Sequence, residues 1–344
     1  MDGIENQMEL TSMSSISRFA VRRLTLTNFR CYEYLRLEID SIAVVLSGPN
    51  GAGKTNILEA LSMLVPGRGL RGAKLSEISR KTAIEEQTSE PRAWAVAARL
   101  SGFGDSIDIG TRYQPTPNGG VDRRTARIDG ETERSQQALT NFMRLHWLTP
   151  QMDRLFQEGA MKRRHFLDRL VSSWDPAHAG RISAYEQAMR ERLKLLRNQS
   201  SPDPAWLLAL EDNMASRGIA IAAARADLVT RLAPVAAKGW GPFPGALLAL
   251  DGDVHDWLSN GPALKAEENF RSVLATDRER DGALGRTHAG PQRADLLVRH
   301  AQKGDLAGRC STGEQKAMLI ALVLANIRIS TCDYGEAPVL LLDE

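Results

Sequence analysis

One octapeptide constrains this chain more than any other stretch. Gly48-Pro49-Asn50-Gly51-Ala52-Gly53-Lys54-Thr55 satisfies G-x-x-x-x-G-K-[ST] at every fixed position. A loop with that spacing turns successive backbone N–H groups inward on a phosphate, and the helix that follows adds the positive end of its dipole. Glycine is needed where any side chain would block the phosphate's close approach. The flanks agree. Residues 42–46 are a continuous apolar run, as in a strand covered on both faces. After Asn56, the residues Ile57, Leu58, Leu61 and Leu64 stand at helical spacing. Lys54 is the expected partner of the β- and γ-phosphates of ATP, the Thr55 hydroxyl a ligand of Mg²⁺, and Asn56 the next residue lining the cradle.

The far end of the chain supplies what such a loop requires. Residues 339–342 are apolar, and Asp343 and Glu344 follow directly. A carboxylate at the end of a buried strand holds Mg²⁺ through water beside the phosphates, and its neighbour can polarise the attacking water. Asp343 is therefore the expected metal residue and Glu344 the expected general base. Ahead of them, Cys310-Ser311-Thr312-Gly313-Glu314-Gln315-Lys316 opens a helix predicted over residues 311–329, with Ser311 near its cap. A serine hydroxyl at a helix N-terminus grips an anion. Ser311-x-x-Glu314 also satisfies a capping box, and the two roles are compatible.

Length and composition set the frame. At 344 residues the chain suits two lobes rather than one core. With 42% hydrophobic and 25% charged residues it reads as a folded soluble protein, and no apolar run approaches the roughly 18–20 residues that span a bilayer. A net charge of +2 means that a DNA partner needs a local basic surface. Cys31, Cys310 and Cys332 fit neither metal-ligand nor disulfide spacing, which points to a reducing, cytoplasmic setting. Residues 1–18 carry Asp2, Glu5 and Glu9 and no apolar core, so they read as a disordered leader, with Met13 as an alternative start.

Val21, Leu24 and Leu26, then Leu35, Leu37 and Ile39, follow strand patterns. Residues 92–100, 107–113, 125–129 and 145–148 read as further short strands, with a turn-rich loop at Pro115, Pro117, Asn118, Gly119 and Gly120. These make residues 19–158 a first ATPase lobe. Residues 159–235 lose strand signals and are rich in Lys, Arg, Ala and Leu, which predicts a helical arm of two or three helices broken near 200–204. Strand patterns return at 245–250 and 295–299, so 236–344 is read as a return to the ATPase core. Trp147, Trp174, Trp206, Trp240 and Trp257 are expected in cores, and His288 is expected to be structural.

Three motifs in this order around a helical insertion resemble the ABC-type ATPase head. The signature departs from the usual L-S-G-G-Q, with Cys310 for the leading Leu, Thr312 for the first Gly, and Glu314 before Gln315; Ser311, Gly313 and Gln315 remain. Leu26-Thr27-Asn28-Phe29-Arg30, Gly67-Arg68-Gly69-Leu70-Arg71, Lys162-Arg163-Arg164-His165-Phe166-Leu167-Asp168 and His288-Ala289-Gly290-Pro291-Gln292-Arg293-Ala294-Asp295-Leu296 narrow this. With residues 311–321 they resemble the RecF family over residues 19–344. The implied fold is α/β: an ABC-type P-loop ATPase head with an inserted helical lobe, lacking the C-terminal part of the ATPase lobe.

The resemblance implies an ATP-dependent protein of recombinational gap repair and replication-fork maintenance. It would dimerise with two ATP between subunits, Ser311, Gly313 and Gln315 gripping the partner's γ-phosphate. It would bind double-stranded DNA near gaps, act with RecR and RecO, and help load RecA, away from membranes. Gln151 stands where ABC heads carry a glutamine that senses Mg²⁺ and γ-phosphate, or is a plain surface residue. Arg68 and Arg71 could touch DNA phosphate or nucleotide in trans, or be solvated; Arg163 and Arg164 could contact DNA or line a solvated helix face. The rivals are an ABC transporter ATPase, a non-hydrolysing clamp and an SMC-like or overcoming-lysogenization-type ATPase. Because such heads continue beyond the acidic pair, a chain stopping at Glu344 is expected to turn ATP over poorly.

Overall fold

Leu24 and Leu26 lie opposite Leu37 and Leu35, so the alternating pattern closes an antiparallel hairpin of β1 (Ala20–Phe29) and β2 (Tyr32–Glu38). A computed structural model describes residues 19–81, 92–103, 105–116, 123–198 and 203–343. The expected leader, parts of the 115–120 loop and of the break near 200, and Glu344 lie outside the described residues.

β3 (Trp94–Phe103), β4 (Asp105–Gln114), β5 (Arg123–Ile128) and β6 (Glu131–Glu133) extend the hairpin into a six-stranded antiparallel sheet of order β2-β1-β3-β4-β5-β6. Apolar side chains at every second position bury one face: Leu24 and Leu26 on β1, Val96 and Leu100 on β3, Ile109 and Tyr113 on β4. Phe29 meets Trp94 edge-on at 5.4 Å, and Trp94 stacks on Tyr113 at 5.9 Å. The Trp94 indole N–H donates to the carbonyl of Leu75, at the start of the short α2 (Leu75–Ile78), at 2.8 Å. This sheet belongs to one compact unit, residues 1–56 and 75–134; residues 57–74 and 135–344 form the other. The helix after the phosphate loop, α1 (Lys54–Ser62), runs from the first into the second.

The second unit runs across the expected boundaries at 158 and 235. β7 (Leu145–Leu148) leads to α3 (Ala160–Ser172), α4 (His178–Asn198) and α5 (Pro204–Ala236), which are the predicted arm. β8 (Ala246–Asp251), α6 (Asp253–Ser259), α7 (Ala263–Thr276), α8 (Arg278–Leu284), β9 (Asp295–His300), α9 (Thr312–Tyr334) and β10 (Val339–Leu342) follow. The arm shares its core with the segments on either side of it. Phe166 and Leu170 of α3 and Leu228 and Leu232 of α5 share one core with Val298 of β9 and Met318 and Leu322 of α9. An amphipathic helix buries its apolar stripe against whatever apolar surface it meets, and here that surface comes from both flanks of the insertion. A second core joins α4, α5, α6 and α7 through Tyr185, Met214, Val254 and Phe270. Gly218 of α5 lets these helices approach, because a Cβ there would come within 2.6 Å of the Phe270 ring.

Several expectations are corrected. Residues 42–46 form no ladder among the described residues, and Val45 is 90% exposed. An apolar run becomes a strand only where a neighbour completes its hydrogen bonds, and the parallel pairing observed is β7 with β10. Trp206 and Trp240 are exposed rather than core. Against the reading that no segment is apolar enough, α9 is long and apolar enough by length and composition to cross a membrane. In this fold its Met318, Leu319, Leu322 and Val323 fill the core shared with the arm. His288 is structural: its Nδ1 meets Asp281 at 2.8 Å, and Asp281 also takes a 2.7 Å bond from the fully buried Arg192.

Candidate nucleotide site

The phosphate loop is shaped by its glycines and braced by the β1–β2 hairpin tip. Gly48, Gly51 and Gly53 have φ of 149°, 84° and 95°, values that only glycine adopts without strain. At Gly53 a Cβ would lie 2.4 Å from the Tyr32 hydroxyl oxygen and 2.9 Å from Cys31 Sγ. Tyr32 donates its hydroxyl to the Ala52 carbonyl at 3.3 Å, and Asn56 Nδ2 donates to Cys31 Sγ at 3.2 Å. No motif announces Tyr32 and Cys31 as part of the cradle; only the tight hairpin turn, with Asn28 and Arg30 at φ of 50° and 53°, brings them there. Lys54 curls over the loop and donates through Nζ to the carbonyls of Gly48 at 2.7 Å and Pro49 at 3.0 Å. The loop with Pro49, Asn50 and Ala52 is solvent-facing, and an added Cβ at Gly51 meets nothing within 4 Å. The residues fit a phosphate chain: an open turn of backbone over which a cation is already held. Among the described residues no cluster of three or more His, Cys, Asp or Glu is placed to hold a metal unaided.

In the second unit, β7 and β10 run parallel, Leu148 opposite Leu342, and the Asp343 N–H continues the ladder to the Leu148 carbonyl at 3.0 Å. Asp343 therefore emerges at the carboxyl end of the pair. Exposed Gln151, on the 3-10 turn Pro150–Arg154, lies beyond the same end of β7. That turn is tied to the signature helix by Asp153 and Lys316 at 3.1 Å.

The signature opens α9 with a full capping box. Ser311 Oγ accepts from the Glu314 N–H at 3.4 Å, and the Glu314 carboxylate accepts from the Ser311 N–H and hydroxyl, both at 3.0 Å. Lys303 pairs with the same carboxylate. Lys303 and then the two Ser311 donors hold the Glu314 carboxyl well below its usual range, at about 2. Gly313 leaves the helix start open, since an added Cβ there meets nothing within 4 Å. Gln315 faces the other way, 1% exposed, with Nε2 on the Cys310 carbonyl at 2.8 Å. The expectation that Gln315 lines the nucleotide is revised: it stands three residues before Met318 and four before Leu319, on the buried face.

The arginines separate. Arg68 is exposed on a loop that Gly69 folds back on α1, where a Cβ would reach within 2.5 Å of Met63 Sδ. Arg71 meets the fully buried Glu59 of α1 at 3.2 Å. Arg163 forks onto Asp295 at 2.8 and 2.7 Å, and Arg164 donates to the Ala294 carbonyl at 2.6 Å. Both arm arginines are tied into the fold, where the sequence left open DNA contact or a solvated helix face. The segments 162–168 and 288–296 turn out to be one structural joint. Asp168 receives Arg225 at 2.7 and 2.8 Å and His178 at 2.9 Å, and Arg225 also donates to the Pro291 carbonyl at 2.6 Å.

This loop, signature and strand pair define a P-loop ATPase head. The family described as RecF/RecN/SMC N terminal domain matches residues 20–344. The chain is 47% identical over 326 residues to the DNA replication and repair protein RecF of Mesorhizobium japonicum, covering 94% of this chain and 83% of that one. It is 46% identical over 324 residues to the RecF of Rhizobium meliloti, with 94% and 84% covered. The fold matches a solved structure of the recombination mediator protein RecF-ATPrS in the RecFOR pathway at a TM-score of 0.82 and 21% identity, covering 95% of this chain and 85% of that one. The chain belongs to the RecF family.

Proposed function

We propose that this chain is a cytoplasmic ATP-dependent DNA-binding protein of recombinational gap repair and replication-fork maintenance. It binds duplex DNA near single-strand gaps as a dimer closed on two ATP, acts with RecR and RecO, helps load RecA, and is a weak ATPase. The observation that carries the reading is the ordered cradle, with Lys54 Nζ poised 2.7 Å from the Gly48 carbonyl. Support comes also from the curated relatives named DNA replication and repair protein RecF. On binding, Lys54 exchanges its two carbonyl partners for β- and γ-phosphate oxygens. Thr55 and Asp343 hold Mg²⁺, which offsets phosphate charge; Glu344, outside the described residues, polarises the attacking water, and Gln151, on the turn that follows β7, senses the metal and the γ-phosphate. Ser311 and open Gly313 grip the partner subunit's γ-phosphate, which requires the Glu314 carboxylate to leave the helix start, since two anions cannot share it.

The test is ATP-dependent binding to gapped and to intact duplex, with and without RecR. A preference for gapped DNA that RecR strengthens is expected; equal binding to both substrates regardless of ATP and RecR would refute the reading. The composite site makes a separate prediction. Ser311→Arg should leave monomer ATP binding intact and block ATP-dependent dimerisation. Because the change also removes a cap contributing about 1 kcal/mol, Ser311→Asp is the sharper variant: it keeps the cap and adds a negative charge where phosphate must enter. Sedimentation in a slowly hydrolysed ATP analogue reads the result, and an aspartate variant that dimerises like the parent would show that Ser311 only caps α9.

A further inference from the structure

The turn at residues 290–293 is braced from within at nearly every residue. Gly290 has φ of 133°, and a Cβ there would lie 2.3 Å from both the Tyr185 hydroxyl oxygen and Gln292 Oε1. The Pro291 carbonyl accepts from Arg225 at 2.6 Å. Gln292 takes the Tyr185 hydroxyl at 2.5 Å and donates to the Ala289 carbonyl at 2.9 Å. The Ala294 carbonyl accepts from Arg164, and Asp295 forks with Arg163. The Arg293 N–H closes the turn on the Gly290 carbonyl at 2.9 Å. The Arg293 side chain is the exception: it is exposed and makes no ion pair or side-chain hydrogen bond among the described residues.

The local charge is unbalanced. Arg163, Arg164, Arg225 and Arg293 gather around this turn, against the carboxylates of Asp168 and Asp295 and of Asp251, which lies opposite Asp295 on β8. Burial first, then the charge of Arg225, hold the Arg164 guanidinium below the usual range; Asp295 and Asp168 pull the other way, and Arg293 adds a smaller push downward. A fold that only needed a closed turn would be better served by a neutral side chain at 293, because like charges placed together cost stability. A rigidly presented, unpaired guanidinium beside a second one suits an anion with several oxygens.

We propose that Arg293 is a DNA phosphate contact, with Arg164 behind it supplying field rather than a hydrogen bond. This rests on the gap-repair reading above. The backbone phosphate is the anion of choice because positioning contacts to DNA are made by arginine on rigid supports and carry no sequence information. The turn replaces the Arg163–Arg164 pair as the phosphate-facing part of this region.

The experiment is fluorescence anisotropy with a fluorescein-labelled 30-base-pair duplex of mixed sequence, in ATP, between 50 and 200 mM salt. Arg293→Glu is expected to weaken binding about tenfold and to flatten the log–log salt slope by about 0.9, the share of one phosphate. Arg293→Lys should keep most of the slope and the parental melting temperature, Arg293→Glu should melt no lower than the parent because it relieves the repulsion, and ATP affinity should be unchanged in both. Arg293→Glu with parental affinity and slope overturns the assignment. Loss of poly-glutamate binding with duplex binding intact also overturns it and points to an acidic protein partner. If the parent protein binds no duplex at all, the gap-repair reading itself falls, an outcome distinct from the failure of Arg293 alone.

Discussion

Lys54→Ala is expected to lower ATP affinity by on the order of a hundredfold or more, because two charge-assisted bonds to phosphate disappear from a loop that has no other lysine. Gly53→Val should reach the same result by a different route. The residue at 53 must hold φ of 95° and leave the space now filled by the hairpin tip, where a Cβ would lie 2.4 Å from the Tyr32 hydroxyl oxygen. A side chain there either pushes Tyr32 off the Ala52 carbonyl or opens the loop, and in both cases the N–H groups lose their convergence. The two lesions differ in their rescue. Tyr32→Ala combined with Gly53→Ala removes most of the clash and should recover part of the affinity; Tyr32→Ala added to Lys54→Ala should recover none. Titration with a fluorescent ATP analogue measures all four variants. Unchanged affinity in Lys54→Ala would remove the phosphate-loop assignment, and no recovery in the Gly53→Ala double variant would mean that backbone strain, not the hairpin, sets the requirement.

What was legible in the sequence was what short-range spacing carries. The phosphate loop, the Ser311 cap and the strands at 145–148 and 339–342 all depend on neighbours within a few residues, and each stands where expected. Residues 42–46 present the same kind of apolar run, yet they form no ladder among the described residues, because apolarity cannot name the strand that completes the hydrogen bonds. Arg163 looks like a solvated charge in sequence since its partner Asp295 lies 132 residues away. Gln315 shows the opposite failure: helical periodicity placed it on the buried face with Met318 and Leu319, but the motif spacing drew it toward the nucleotide. No helix is predicted from the sequence between the strands at 245–250 and 295–299, where α6, α7 and α8 stand; Gly252, Asn260, Gly261 and Gly285 punctuate α6 and α8, which are only seven residues each.

The strand pair that presents Asp343 should be acid-sensitive, and the group responsible is His146 on β7. It is 2% exposed, lies opposite Leu340 of β10, and meets Asn326 Nδ2 through Nε2 at 3.2 Å. The Asn326 carbonyl oxygen is fixed by the Trp174 indole N–H at 3.0 Å, so the amide offers its N–H to the ring and Nε2 must be the unprotonated acceptor. Burial, and then the charge of Arg169, pull the His146 pKa from 6.5 to about 3. Arg169 is itself lowered to about 10 by burial, so a proton on His146 would place two poorly solvated cations together. The sign follows from the folded pKa lying below the unfolded one. The unfolded chain takes up the proton first, so stability is full above about pH 6.5 and falls steadily as pH drops toward 3. Between pH 7 and pH 5 the loss from this one group is about 2 kcal/mol. His146→Gln keeps an acceptor for Asn326 and cannot titrate. It should cost stability at pH 7, where the imidazole packs better, and lose less than the parent on acidification. Urea unfolding of both proteins at pH 7, 6 and 5 isolates the histidine from other titrating groups, which are common to the two. Parallel pH profiles for parent and glutamine variant would show that His146 is protonated no more readily in the unfolded chain than in the folded one, and that burial beneath β10 does not control the site's acid limit.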